Sequence, residues 1–198
     1  MDIEDKRKIG EQIEPGDRPR APGRLELLQR FVNTWNHDLP ETWDRIGTRD
    51  RAHEWLRENG LIARHVDVSA EDAARLRACR EALRSIIGAN GGEAPDPTAI
   101  HALRTASRAG TLTVTIDERG RTGLQAAGPA TDGAIALLLG IMHDAQLTGD
   151  WARLKGCRRC RYAFYDRSRN RSAAWCSMSI CGNRSKNRAY YRRINPPA

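Results

Sequence analysis

Cys157-Arg158-Arg159-Cys160 and, fifteen residues further on, Cys176-Ser177-Met178-Ser179-Ile180-Cys181 are the stretches that decide the fold of the C-terminal quarter. The pattern is C-x2-C followed by C-x4-C. Each pair can set two thiolates on one side of a small turn, and the segment between is long enough to bring both pairs to one tetrahedral centre. Four soft thiolates that leave no position for water suit one structural Zn2+, with Cys157, Cys160, Cys176 and Cys181 as its ligands. In a cytosolic chain disulfides are disfavoured, a thioredoxin-like CxxC needs a βαβ setting that is absent here, and iron–sulfur clusters use other spacings. The cationic neighbours lower thiol pKa and offset the excess charge of a zinc tetrathiolate. So small a knuckle has almost no core, so metal must supply much of its folding energy. Phe164, Trp175 and Ile180 are the candidates for the little core it has. The fifth cysteine, Cys79, reads as a small buried hydrophobe inside a helix.

Charge separates this quarter from the rest. The 198 residues carry 33 Lys and Arg against 25 acids, and 13 of those bases with one acid, Asp166, fall in residues 151–198. That segment stands at +12 and the remainder at −4. Such an excess points to nucleic acid, where arginine donates to phosphate in bidentate fashion. The candidate contacts are Arg167, Arg169 and Arg171 between the cysteine pairs, and Asn183, Arg184, Lys186, Arg188 and Arg192 beyond the last. If the tail is helical, Arg184, Arg188 and Arg192 share one face. A solvated surface, or a contact with the acidic body, is the competing reading. Tyr162, Tyr165, Tyr190 and Tyr191 can either stack on unpaired bases or pack around the knuckle.

Working back from the cysteines, residues 1–22 form a polar, Pro/Gly-punctuated segment expected to be flexible. Residues 23–150 form a mostly helical body. Leu25, Leu28, Val32 and Trp35 recur at helical spacing, with Pro40 at or just after the helix end. A second helix spans Arg49–Asn59, with Asn59-Gly60 as its C-terminal cap. Ser69-Ala70-Glu71-Asp72 forms a capping box for a helix that turns Ala73, Leu76, Leu83 and Ile87 inward. Pro97 suits the first turn of another helix, a β-hairpin lies near 111–126, and Asp132–Leu147 reads as a buried helix. The expected fold is therefore mainly α with one β-hairpin, followed over 151–198 by a four-cysteine zinc knuckle and a basic helix. No apolar run is long enough to span a bilayer, and Met1–Gly10 lacks a signal-peptide core, so the expected setting is cytoplasmic with no membrane partner.

Trp175-Cys176-Ser177-Met178-Ser179-Ile180-Cys181-Gly182-Asn183-Arg184, behind Phe164–Ser172, closely resembles the CGNR zinc-finger family over about Lys155–Arg193. The first pair is spaced more tightly than in many members, within standard knuckle geometry. Gly23–Trp35 is similar to the opening helix of ABATE, the N-terminal domain that often accompanies this finger and is named for stress-induced transcription regulation. The resemblance implies a bacterial DNA-binding regulator, although an RNA-binding role has been proposed for such proteins. In its light Asn33, Thr34 and Trp35 become a candidate ligand pocket, against the simpler reading that Trp35 is core and its polar neighbours are caps.

No HExxH, P-loop, GxSxG or strand-linked GxGxxG is present, and the histidines are scattered, so an enzyme is not expected. The leading expectation is a zinc-dependent DNA-binding transcription regulator whose N-terminal domain senses a signal. An RNA or single-strand binder and a zinc-module protein adaptor are the alternatives. A homodimer would suit a symmetric operator.

Overall fold

The computed structural model describes residues 18–127 and 130–194. It contains helices α1 (Leu25–Val32), α2 (Arg49–Glu58), α3 (Ala70–Ala89), α4 (Pro97–Ala106), α5 (Ala130–Thr148) and α6 (Asn183–Ile194). Strands β1 (Thr111–Ile116) and β2 (Thr122–Ala127) pair antiparallel, as do β3 (Leu154–Gly156) and β4 (Ala163–Tyr165). The architecture is mainly helical, with two small two-stranded sheets and the cysteine cluster ahead of the last helix.

Local chemistry sets the helix ends. Thr48 caps α2 by accepting the Arg51 amide, and Asn59 ends it before Gly60, which sits at φ +66°. Ser69 and Asp72 close a reciprocal capping box on α3. Asp96 caps α4 ahead of Pro97. The β1–β2 hairpin lies close against α5 because glycine leaves room at the contact: a Cβ on Gly110 would collide with the Asp132 carbonyl, and one on Gly140 would meet the Leu112 side chain at 2.9 Å.

The core is built from Leu28, Phe31, Trp55, Leu56, Leu76, Leu83, Ile87, Leu138 and Ile141, all fully buried. It does not stop at the end of α5. Trp151, Leu154 and Ala163 belong to the same apolar cluster, so the first half of the cysteine module packs directly on the body.

Helix α1 is shorter than its periodicity suggests, ending at Val32 well ahead of Pro40. The reason is a buried arginine. Arg84 on α3 donates to the carbonyls of Val32 and Trp35 at 2.6 and 2.7 Å, and to that of Arg161 at 3.0 Å. Trp35 consequently lies beyond the helix and half-buried, with its indole donating to the Leu39 carbonyl. Residues 1–17 of the expected flexible segment lie outside the described residues. Residues 18–22 are set against the protein: Ala21 is buried, its amide donates to Gln29 Oε1, and the Pro19 carbonyl accepts from the Tyr165 amide.

The joint between body and cysteine module centres on Asn33, 1 % exposed. Its side chain donates to the Ala163 carbonyl and accepts from the Ala163 amide, both at 2.8 Å. Gln29 adds a second donor to the same carbonyl at 3.0 Å. Replacing Asn33 with Ala leaves the buried Ala163 amide without its side-chain acceptor, while its carbonyl keeps the Gln29 donor, and is expected to cost about 1–3 kcal/mol, read from urea unfolding at constant m-value.

Candidate metal centre

The first cysteine pair sits on the turn of the β3–β4 hairpin. The Cys157 amide donates to the Tyr162 carbonyl and the Arg161 amide to the Cys157 carbonyl, both at 2.9 Å, closing the loop around the two sulfurs. Arg161 occupies the left-handed region at φ 60°, a strained choice for a side-chain-bearing residue. Clamps at both its ends maintain it: its carbonyl accepts from Arg84, and its guanidinium pairs with Glu93 at 2.5 Å.

The second pair lies just ahead of the terminal helix. Cys176 precedes Ser177, whose extended backbone (φ −152°, ψ 134°) turns the chain into a wide π-helical turn over Met178–Gly182. Ser177 Oγ accepts from the Ile180 amide, and its carbonyl takes the amides of both Cys181 and Gly182 at 3.0 Å. Cys181 is thereby swung back beside Cys176, and α6 follows.

All four thiols are buried, and their sulfurs lie within 4.8 Å of one another. The Cys160–Cys176, Cys176–Cys181 and Cys160–Cys181 separations are 3.7, 3.6 and 3.7 Å. A disulfide would need about 2.05 Å. A tetrahedron with Zn–S arms of about 2.3 Å has edges of about 3.8 Å, so the spacing fits one zinc ion. Packed this closely, the four thiols do not all ionise on their own. Hydrogen bonds from Cys160 and Cys176 hold the Cys157 thiol far below its ordinary value. Donating to Cys157 pushes Cys160 up to about 12 and Cys176 upward as well. Four thiolates this close need a divalent cation among them. Arg159 adds an outer charge, with Nη1 3.8 Å from Cys181 Sγ and 2.6 Å from Asp38. Tyr162 and Phe164 pack around the sulfurs, with Ala173, Trp175 and Ile180 half-buried at the edge. Cys79 is remote in the helical core, and burial pushes its thiol up to about 12.

The eleven bases of this segment whose side chains are described divide into two groups. Lys155 is buried on Asp166 at 2.9 Å and also donates to the Arg171 carbonyl. Arg153 holds the carbonyls of Asp166 and Ser168, while Arg159 and Arg161 pair with Asp38 and Glu93 of the body. Asp166 itself is buried; burial alone would raise its pKa, but hydrogen bonds from Ser168, Lys155 and Ala173 outweigh that and hold it below the usual range. The module's one acid is thus spent inside a loop.

Arg169, Arg171, Arg184, Lys186 and Arg188 are exposed and, among the described residues, have no acidic partner. Arg167 is exposed with one donor on the Arg20 carbonyl, and Arg171 sits at φ 50°. Asn183 is exposed at the start of α6, its amide 3.4 Å from the Ser179 carbonyl. The Arg192 side chain lies outside the described residues. Arg158, exposed on the first cysteine turn, belongs with this group; its position between Cys157 and Cys160 was the available signal.

The tyrosines divide too. Tyr162 is buried under the Arg18 guanidinium, 4.1 Å from its ring centroid, and Tyr165 donates to Asp150 at 2.5 Å. Both are packing residues and not available for stacking on bases. Tyr190 and Tyr191 are exposed, with ring centroids 5.9 Å apart.

The three residues of the candidate ligand pocket do not converge. Asn33 faces Ala163, and Thr34 Oγ1 donates to the Phe31 carbonyl while accepting from Arg80. Trp35 alone lines a cleft of about 530 Å3, with Glu41, Asp44, Arg77, Arg80 and Glu81. Within that cleft Arg80 already holds both oxygens of Asp44, at 2.6 and 2.9 Å.

Because the zinc hairpin shares the body's core, metal loss should propagate beyond the finger. Chelation, or Cys176→Ser, is expected to remove one zinc per chain and lower the melting temperature of the whole protein in a single transition. Cys79→Ser should retain full metal content. Metal analysis alongside calorimetry checks both; a two-step melt with an unchanged upper transition would contradict the shared core.

Comparison with known families agrees with this geometry. No curated protein matches the chain. The ABATE family model, described as "Putative stress-induced transcription regulator", matches residues 25–150. The model of the CGNR zinc finger matches residues 153–194, which contain all four cysteines. Both are regulator and zinc-finger families rather than enzyme families. With the ABATE match spanning well over half its length, the chain belongs to the ABATE family and carries a CGNR zinc finger after that domain.

Proposed function

We propose that this protein is a zinc-dependent, DNA-binding transcription regulator. The body, residues 23–150, senses a signal of the stress-response kind that its family name suggests, and residues 151–198 dock on the duplex. The observation that carries this reading is the sorting of charge. Arg159 and Arg161 pair with acids of the body and Lys155 with the buried Asp166, while Arg158, Arg169, Arg171, Arg184, Lys186 and Arg188 are left exposed with no acidic partner among the described residues. Repulsion within such a surface is relieved by a polyanion, which releases counterions as it binds. Zinc acts here as scaffold: it holds the β3–β4 turn and the turn leading into α6 together, and the contacts belong to the arginines. The setting would be cytoplasmic, and a homodimer would match a two-fold operator.

The test is a salt titration of the zinc-loaded protein on duplex DNA. Arg184→Ala and Arg188→Ala are each expected to flatten the log K against log salt slope by about 0.9, and to weaken binding alike across sequences. Arg161→Ala, which removes a contact with Glu93, should leave that slope unchanged. Slopes unaffected by the α6 substitutions would sink the proposal.

One observation favours a second reading. Tyr190 and Tyr191 stand exposed beside the cations, as a platform for unpaired bases would. If single strands or RNA are the target, Tyr191→Ala should weaken single-strand binding several-fold and leave duplex binding unaltered.

A further inference from the structure

Helices α3, α4 and α5 enclose a groove of about 490 Å3 that lies away from the metal and from the Trp35 cleft. Its floor is apolar: Ile86 from α3, Ile100 and Leu103 from α4, and Leu139 and Met142 from α5. Leu103 is buried in the core and the others are half-buried, with Ile86, Leu139 and Met142 packed against that core. Its volume falls within the usual range for small-molecule sites, about 300–1,000 Å3.

The mouth has a different chemistry. Arg104, His143 and Gln146 stand there, and no acidic side chain lines the groove among the described residues. Arg104 has no acidic partner among the described residues, so its planar pair of donors is available to a ligand. A long apolar floor with one fixed positive charge at its edge calls for a ligand with an apolar body and a single anionic head. A guanidinium meets a carboxylate with two parallel hydrogen bonds.

We infer that this groove is a binding site for a small amphiphilic carboxylate, with its chain along the floor and its head on Arg104. Asn90 lines the same groove, and its amide donates to the carbonyls of Trp151 and Leu154 at 2.8 and 2.9 Å. These residues lead into β3 and the first zinc ligands, so the ligand touches the joint between body and finger. That the ligand is a signal rests on the sensing role proposed above; that it binds does not.

Decanoate and decanol, which share a chain and differ in head group, test the inference by calorimetry on the zinc-loaded full chain, below the concentration at which decanoate forms micelles. Decanoate should bind saturably at one site and at least tenfold tighter than decanol. Arg104→Gln, at an exposed position, should erase that preference while leaving the melting temperature unchanged. Met142→Trp should fill the groove and abolish binding of both with zinc content intact. No saturable decanoate binding, equal affinity for the two compounds in the unaltered protein, or binding indifferent to both substitutions overturns it. So does binding that emerges only on dilution, which would give the groove to a second copy, or only after deletion of residues 1–17, which would give it to the chain's own N-terminal segment. The titration contains no nucleic acid: a protein that takes decanoate but no DNA upholds this site and defeats the regulator reading.

Discussion

Four buried thiolates around one zinc ion impose a distance constraint that no side-chain packing in so short a segment could supply. The hairpin β3–β4 and the segment leading into α6 contribute two sulfurs each, and the near-equal separations of 3.6–3.7 Å are those of one coordination sphere. Once those two elements are pinned, the loop between them can be polar and cationic without coming apart. Asp166 then organises that loop from within, taking the Ser168 and Ala173 amides and the Lys155 ammonium.

The constraint does not end at the finger. Ala163 is strand partner to Gly156, one residue from the first ligand, and Asn33 grips both of its backbone groups. Arg84 does the same work on the other side, holding the end of α1 and the Arg161 carbonyl with a single guanidinium. A buried arginine is tolerable because Glu81 pairs with it, 2.9 Å away, and three carbonyls accept its protons. Body and finger therefore share buried contacts at this seam, although their compositions differ sharply.

Much of this was legible in residue order. The cysteine spacing identified all four ligands, because ligand type and interval are local properties. Ser69 with Asp72, Asn59 with Gly60, and Pro97 marked helix ends correctly, since a cap depends on residues within one turn. The extent of α1 was not legible: the residue that stops it, Arg84, lies more than fifty positions away. Tyr162 and Tyr165 could not be told from Tyr190 and Tyr191 for a related reason, because burial under Arg18 or contact with Asp150 is decided by which segments meet.

By itself, then, the sequence determined the metal site, the helical character of the body and the excess of positive charge in the last 48 residues. Each is set by composition or by spacings shorter than a helical turn or a single loop. Only the tertiary structure decided how that charge is divided. An arginine such as Arg161 becomes internal because α3 and Glu93 come to meet it, while Arg188 remains outside because, among the described residues, no acid does. Side-chain type states what a residue can bond; only the packing of distant segments states which bonds are left to make.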